Sequence, residues 1–401
     1  MRIPFFNVVL PRISLFFLAI TFLLFLYSFT QVDLGLTLTR ASVITDIQRS
    51  FQYIGYFNRS LSALLFLILL AALFASYIFL LRAIRQGTLN RKTLWATIIL
   101  GTLILTFSYN AFSYDIFNYI FDAKILTMYG LNPYEYKALD FPSDPMLSFM
   151  HWTHRTYPYG PVWLGLSVPL SYLGFQFFMP TFFLFKLFFA GCFLLSCWFI
   201  EKIVHKVSEK ESVFCLAFFA FNPLILIESL VSGHNDIAMM ALALGSIYFL
   251  VKKRYILAVT LLILSVGLKY ATGFLLPLFI VLIFFDRKRV PIQWGMIWLT
   301  FLVAMIFGVG AASLRSTFQP WYLLYVLPFA SLIAYSSYIR IPFVLLSLVG
   351  LLNYLPYLYY GNWDPPIPAV LLVLNLSTVV IAAVLAYILF LKSKTTYKKI
   401  T

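Results

Sequence analysis

Runs of about 20 apolar residues, the length that crosses the hydrocarbon core of a bilayer, recur from one end of this 401-residue chain to the other. Inside hydrocarbon each backbone N–H and C=O must find its partner within the chain, so each run is expected to be a helix. The short alternating segments of a membrane β-barrel are absent from the sequence. A composition of 62% hydrophobic and 11% charged residues excludes a soluble globular domain. The chain therefore reads as an all-α, polytopic integral membrane protein forming a single membrane domain, 1–401.

Thirteen apolar segments are legible, at roughly 13–32, 61–81, 93–112, 161–178, 181–200, 213–231, 237–251, 255–269, 273–285, 293–312, 321–337, 341–356 and 368–391. The first has no small-residue cleavage site after it and reads as a retained helix. Lys and Arg set the orientation. Arg2 and Arg12 place the N-terminus in the cytoplasm, and Lys392, Lys394, Lys398 and Lys399 place the C-terminus there too. Clusters at 82–92, 252–254 and 287–289 mark further cytoplasmic turns. Two inner termini require an even number of crossings, so one segment does not cross. The best candidate is 161–178, broken by Pro161 and Pro169. The expectation is about 12 transmembrane helices plus one interfacial or re-entrant helix, multi-pass in the cell membrane. The net charge of +15 is scattered between apolar runs and follows this topology; it gives no footprint for nucleic acid. Cys192, Cys197 and Cys215 lie in apolar segments and read as small buried hydrophobes.

Against this background, 113–160 stands apart as a polar and aromatic loop on the outer side. It holds five of the 14 acidic residues and two of the four histidines. Asp115 lies just past a span, at lipid-headgroup depth, where partial desolvation is expected to raise its pKa and make it a stronger base. Asp122, two helical turns on, can share its face. Tyr157 and Tyr159 can stack on a sugar or anchor at the interface. His151 and His154 have no third ligand at metal spacing. A second concentration, Ser232-Gly233-His234-Asn235-Asp236, lies in a hairpin on the same face. Asp236 can cap the helix that follows or, with His234, position a phosphate or hydroxyl. Glu228 sits at the end of an apolar span and needs a partner the sequence does not name. Lys269 and Arg315 are cations on the outer side, where the positive-inside rule disfavours them; they suit an anionic headgroup or a leaving phosphate.

These pieces resemble the polyprenol-phosphate-mannose-dependent mannosyltransferases, membrane glycosyltransferases of the GT-C fold. The resemblance is carried by Asp115-Ile-Phe-Asn-Tyr119, Gly130-Leu-Asn-Pro-Tyr134, Tyr157-Pro-Tyr-Gly-Pro161, Gly233-His-Asn-Asp236, Leu268-Lys269 and Gln319-Pro-Trp-Tyr322, in this order. It spans roughly 93–337, which would be a GT-C-like catalytic module with 113–160 as its large outer loop. It implies that Asp115 is the catalytic base. The donor would be a polyprenyl-phosphate sugar whose phosphate meets Lys269 and Arg315. Asp122, Tyr157, Tyr159, His234, Asn235, Asp236, Gln319, Trp321 and Tyr322 would bind substrate. The expected activity is inverting transfer of a sugar, mannose by the family's usage, to a glycan, glycolipid or protein acceptor on the extracytoplasmic side. No metal ligand is assigned, although the acids leave room for a divalent metal. The competing reading is a transporter or flippase of lipid-linked sugars, but the sequence lacks the paired halves such proteins show.

Overall fold

The structure, a computed structural model, describes residues 2–3, 8–39 and 41–398. Lys399, used above for orientation, lies outside them. After a two-residue ribbon, β1 (Arg2–Ile3) against β2 (Val8–Val9), the described chain is helical. The helices are α1 (Arg12–Ser28), α2 (Ser42–Gln52), α3 (Arg59–Arg85), α4 (Arg91–Thr106), α5 (Asp115–Thr127), α6 (Pro161–Leu173), α7 (Phe178–Val207) and α8 (Glu209–Ala220). They continue with α9 (Pro223–Leu226), α10 (Asp236–Val251), α11 (Tyr255–Leu268), α12 (Leu276–Arg287), α13 (Trp294–Arg315), α14 (Leu327–Leu332), α15 (Ser337–Leu352), α16 (Leu355–Tyr360) and α17 (Ile367–Lys398).

Among the described residues seven helices are long and apolar enough to cross a membrane, or eight if the bent pair α8 and Pro223–Val231 makes one span. The expected count of 12 is therefore not reached by length alone. It would need α4 and the shorter helices Asp236–Val251, Tyr255–Leu268 and Pro320–Leu332 to cross as well, with Pro161–Leu173 left as the segment that does not. The 213–231 segment is not the straight helix the sequence suggested. Pro223 lacks an N–H, and the Asn222 side chain instead caps Leu224 N at 3.0 Å, so the axis turns by 55°. The 161–178 segment forms only the 13-residue α6, packed on α5, α7 and α11.

Buried α10 stands at the centre, packed against α7 and α11. Helix α17 leans on α15 and exposes most of its apolar surface, as a lipid-facing helix does. The chain runs so that Arg85, Arg91, Glu201, Glu211, Lys253 and Asp286 gather at helix ends on one side. The start of α5, the hairpin before α10 and the end of α11 meet at the other side, the rim.

One element was missed entirely by a search for continuous apolar runs. Helix α2 carries Val43, Ile44 and Ile47 outward at 70, 49 and 51% exposure. Its Gln48 and Gln52 face inward and donate to Leu36 O at 2.7 Å and Asp33 O at 3.0 Å. An apolar side turned out and a glutamine side turned in suits a helix lying in a membrane interface.

Candidate active site

Asp115 is the first residue of α5, not a free loop acid. Its N–H donates to Ser113 Oγ at 3.1 Å, and one turn on, Tyr119 OH donates to Asp115 Oδ2 at 3.4 Å. The side chain keeps 18% exposure, so a substrate can still reach it. His234 Nδ1 lies 3.5 Å from Asp115 Oδ2, and His234 Nε2 lies 3.2 Å from Glu228 Oε2. Tyr354 OH donates to the other oxygen, Glu228 Oε1, at 2.8 Å. Both His234 and Glu228 are fully buried. The partner the sequence could not supply for Glu228 is thus His234, six residues away, backed by a tyrosine from the distant turn between α15 and α16.

This arrangement depends on an irregular backbone. Ile227–Val231 is a π-helical turn, and Gly233 takes a left-handed φ of +73°. A Cβ there would press on the Phe189 ring at 3.2 Å, so both conformation and space require glycine. The wide turn frees backbone carbonyls, and buried Lys186 takes them. Its ammonium donates to Leu230 O, to Val231 O at 2.9 Å and to Ser108 Oγ at 3.2 Å. Lys186 sits inside an apolar helix, and its role was not legible in the sequence.

Electrostatics corrects the expected basicity of Asp115. Burial does act to raise its pKa, but the imidazole of His234 against it, with Lys269 beyond, holds the carboxyl below its ordinary value. His234 responds in the opposite direction. Burial acts to lower it, yet Asp115 and Glu228 together raise it to about 9. The pair is therefore carboxylate and imidazolium at neutral pH. Neither imidazole nitrogen is aligned as a hydrogen bond, so the contact is an ion pair at distance. The indole of Trp321 stacks on the imidazole at 4.2 Å and 20°, a cation–π arrangement that favours the same charge.

A second pair adjoins the first. Lys269 Nζ spans both Asp236 oxygens at 2.7 and 2.9 Å and lies 5.5 Å from the Tyr159 ring centroid. Asp236 is fully buried while Lys269 keeps 20% exposure. Asn235, not Asp236, takes the N-cap position of α10, with no capping side-chain hydrogen bond among the described residues. Asn235 N–H donates to Tyr119 OH at 3.4 Å, which joins the two pairs through one hydroxyl. The buried side-chain amide of Asn235 has no hydrogen-bond partner among the described residues. Gly160 N–H donates to Leu268 O at 3.2 Å, pinning the end of the large loop beside Lys269.

The remaining candidates sort differently. Tyr157 and Tyr159 pack edge to face at 5.5 Å, and Tyr159 meets Tyr119 at 5.3 Å. Asp122 is buried with no ion pair or hydrogen bond among the described contacts; burial, and then the Asp115 charge, push its carboxyl well above the usual range. Tyr322 OH shares a 2.6 Å hydrogen bond with Ser316 Oγ, and Gln319 Nε2 donates to Thr317 Oγ1 at 3.1 Å. Arg315 is exposed at the end of α13 and does not join the buried cluster. His151 packs against the Tyr114 ring at 3.7 Å, and His154 meets Trp152 edge to face at 6.4 Å. Among the described residues no three His, Cys, Asp or Glu side chains are grouped to hold a metal ion. Asp115, Glu228 and Asp236 are engaged by His234 and Lys269. The residues present do not fit a divalent metal.

Irregular turns thus bring buried acids, an imidazolium and a lysine together at one end of a bundle of membrane-length apolar helices. The chain matches the MptA_B family model, described as alpha-(1->6)-mannopyranosyltransferase, N-terminal domain, over residues 21–285. That is more than half of its length, and the protein belongs to this mannosyltransferase family. No curated protein and no solved structure matches it. The matched segment contains Asp115, Glu228, His234, Asp236 and Lys269; Arg315, Trp321 and Tyr354 fall outside it.

Proposed function

We propose that this mannosyltransferase is a GT-C enzyme that moves mannose from a polyprenyl-phosphate donor to an acceptor hydroxyl on the extracytoplasmic side of the cell membrane. The observation that supports this best is the Asp115–His234–Glu228 contact. It keeps one carboxylate ionised, partly exposed and rigidly held at the edge of the membrane bundle.

The acceptor oxygen attacks the anomeric carbon while its proton passes to Asp115. The bond from that carbon to the phosphate oxygen breaks, and the electron pair leaves with the polyprenyl phosphate. Base catalysis of this kind contributes on the order of 10²–10⁴ in rate. Asp115 is a weak base by its lowered pKa, so its contribution rests on placement and on late proton transfer from an oxygen already bonding to carbon. Lys269, held by Asp236 yet still 20% exposed, and Arg315 meet the charge of the leaving phosphate. The unpartnered Asn235 amide, Asp122, Tyr157, Tyr159, Gln319, Trp321 and Tyr322 contact the sugars. One displacement inverts the centre, so a β-linked donor gives an α-linked product, in keeping with the linkage in the family's name.

The purified protein, supplied with labelled polyprenyl-phosphate mannose and a mannose oligomer, should extend the oligomer by an α-linked mannose. A sugar-nucleotide donor should give no product. Transfer from the nucleotide and none from the lipid-linked sugar would refute the assignment of the donor.

A further inference from the structure

Next to Asp115, the helix ends at the rim carry an aromatic patch that the catalytic steps above leave unused. Arg59 opens α3, and its guanidinium carbon lies 5.5 Å from the Tyr56 ring centroid and 6.0 Å from that of Tyr357 on α16. Arg59 Nη1 donates to Tyr357 O at 3.4 Å, and no carboxylate pairs with it among the described residues. Trp363 lies parallel to Tyr357, with centroids 5.3 Å apart and planes at 19°, and keeps 47% exposure. Gly361, at a left-handed φ of +78°, crosses so close to Arg59 that a Cβ would come within 2.5 Å of the guanidinium. The left-handed turn thus lies against the guanidinium.

The patch is tied to the active site. Tyr354, one turn before Tyr357, donates to Glu228 Oε1 at 2.8 Å. Tyr114, the residue before Asp115, lies beside Tyr56 and donates to Asp33 Oδ2 at 3.4 Å. A ring that only anchors the protein in the interface would turn its face to lipid. Here the rings surround an arginine and are followed by exposed Asn362 and Asp364, a polar setting. A flat aromatic face beside guanidinium donors matches the chemistry of a hexose, with its apolar C–H face and its ring of hydroxyls.

We propose that Arg59, Tyr357 and Trp363 form a carbohydrate-binding subsite that holds the sugar preceding the acceptor sugar in an oligosaccharide. This rests on the transferase reading above, with mannose oligomers as the acceptor class. It gives the residues beyond the matched family segment a substrate-selecting role.

The test compares methyl α-mannoside, which has no preceding sugar, with a mannose oligomer. Trp363→Ala should lower kcat/KM for the oligomer relative to methyl α-mannoside about tenfold through acceptor KM, the loss expected for one aromatic contact. Trp363→Phe should restore most of it, and Arg59→Gln should act in the same direction. An unchanged ratio overturns the subsite and leaves Trp363 as an interfacial anchor. A second readout is equilibrium binding of the oligomer, without donor, to the full chain in nanodiscs. Binding that Trp363→Ala weakens, with no transfer from any donor, keeps the subsite and refutes the transferase reading. A wild-type protein that does not bind the oligomer refutes the subsite whatever the transfer activity.

Discussion

The two ends of the bundle treat their acids in opposite ways. At the basic end, Glu201, Glu211 and Asp286 each meet an arginine or lysine whose side chain is 39–69% exposed. Glu201 also accepts from Trp95 Nε1 at 3.2 Å. Those cations reach back from water, so each pair is partly hydrated and local. At the rim, Glu228, His234 and Asp236 are fully buried, and two carboxylates share a single imidazole. An arrangement with an unaligned imidazole and an unpaired amide is a poor way to gain stability. The difference separates acids that fasten helix ends from acids held at a cost, which the proposed function assigns to chemistry.

The largest test of that separation is Asp115→Asn. Asparagine keeps the shape and the contact with Tyr119 but cannot take a proton. Transfer should fall on the order of 10²–10⁴ while the protein stays folded, read as turnover with lipid-linked mannose. Near-normal turnover would remove Asp115 from the chemistry and blur the contrast between the two ends.

Glu228→Gln probes the second carboxylate, which is fully buried against His234 and, in the proposed mechanism, acts through it. His234 has a folded pKa of about 9, above its ordinary 6.5, so the clamp is complete below the ordinary value and is lost as pH rises through about 9. The pH–rate profile should therefore show an alkaline limb near that value. Removing the Glu228 charge lowers the His234 pKa, moves the limb toward neutral pH and reduces kcat about tenfold at pH 8. An unmoved limb would show that Glu228 is only a packing element.

Much of this site was legible because polar residues are costly in an apolar chain. Asp115, His234, Asp236 and Lys269 were singled out for that reason, and the structure brings them together. Their roles remain those proposed above. Glu228 was flagged without a partner, because its neighbours depend on a π turn and on Tyr354, 126 residues away, and neither leaves a local signal. Lys186 was passed over because it sits in an otherwise apolar run, and its ligands are backbone carbonyls, which no side-chain pattern reveals. The sign of the Asp115 shift was misjudged for the same reason: depth was readable, but the imidazolium beside it was not. Chain length between charges suggested more crossings than the helix lengths give, since hydropathy does not show where Pro223 bends a span or where a segment folds as a short buried helix.

The smallest expected effect is at the other end. Glu201 is nearly as buried as the rim acids, with a side chain 4% exposed, so burial alone would class it with them. Its partners argue otherwise. In Glu201→Gln, the amide oxygen can still accept from Trp95 or Arg91, and Arg91, 56% exposed, can hydrate the charge left behind. The loss should be about 1 kcal/mol of stability, a thermal midpoint lower by roughly 2 °C, with kcat unchanged. A drop in kcat like that of Glu228→Gln would mean that the basic end is coupled to the rim through α7, which carries both Glu201 and Lys186. Burial would then be the better guide to function, and the nature of the partner would not separate the two ends.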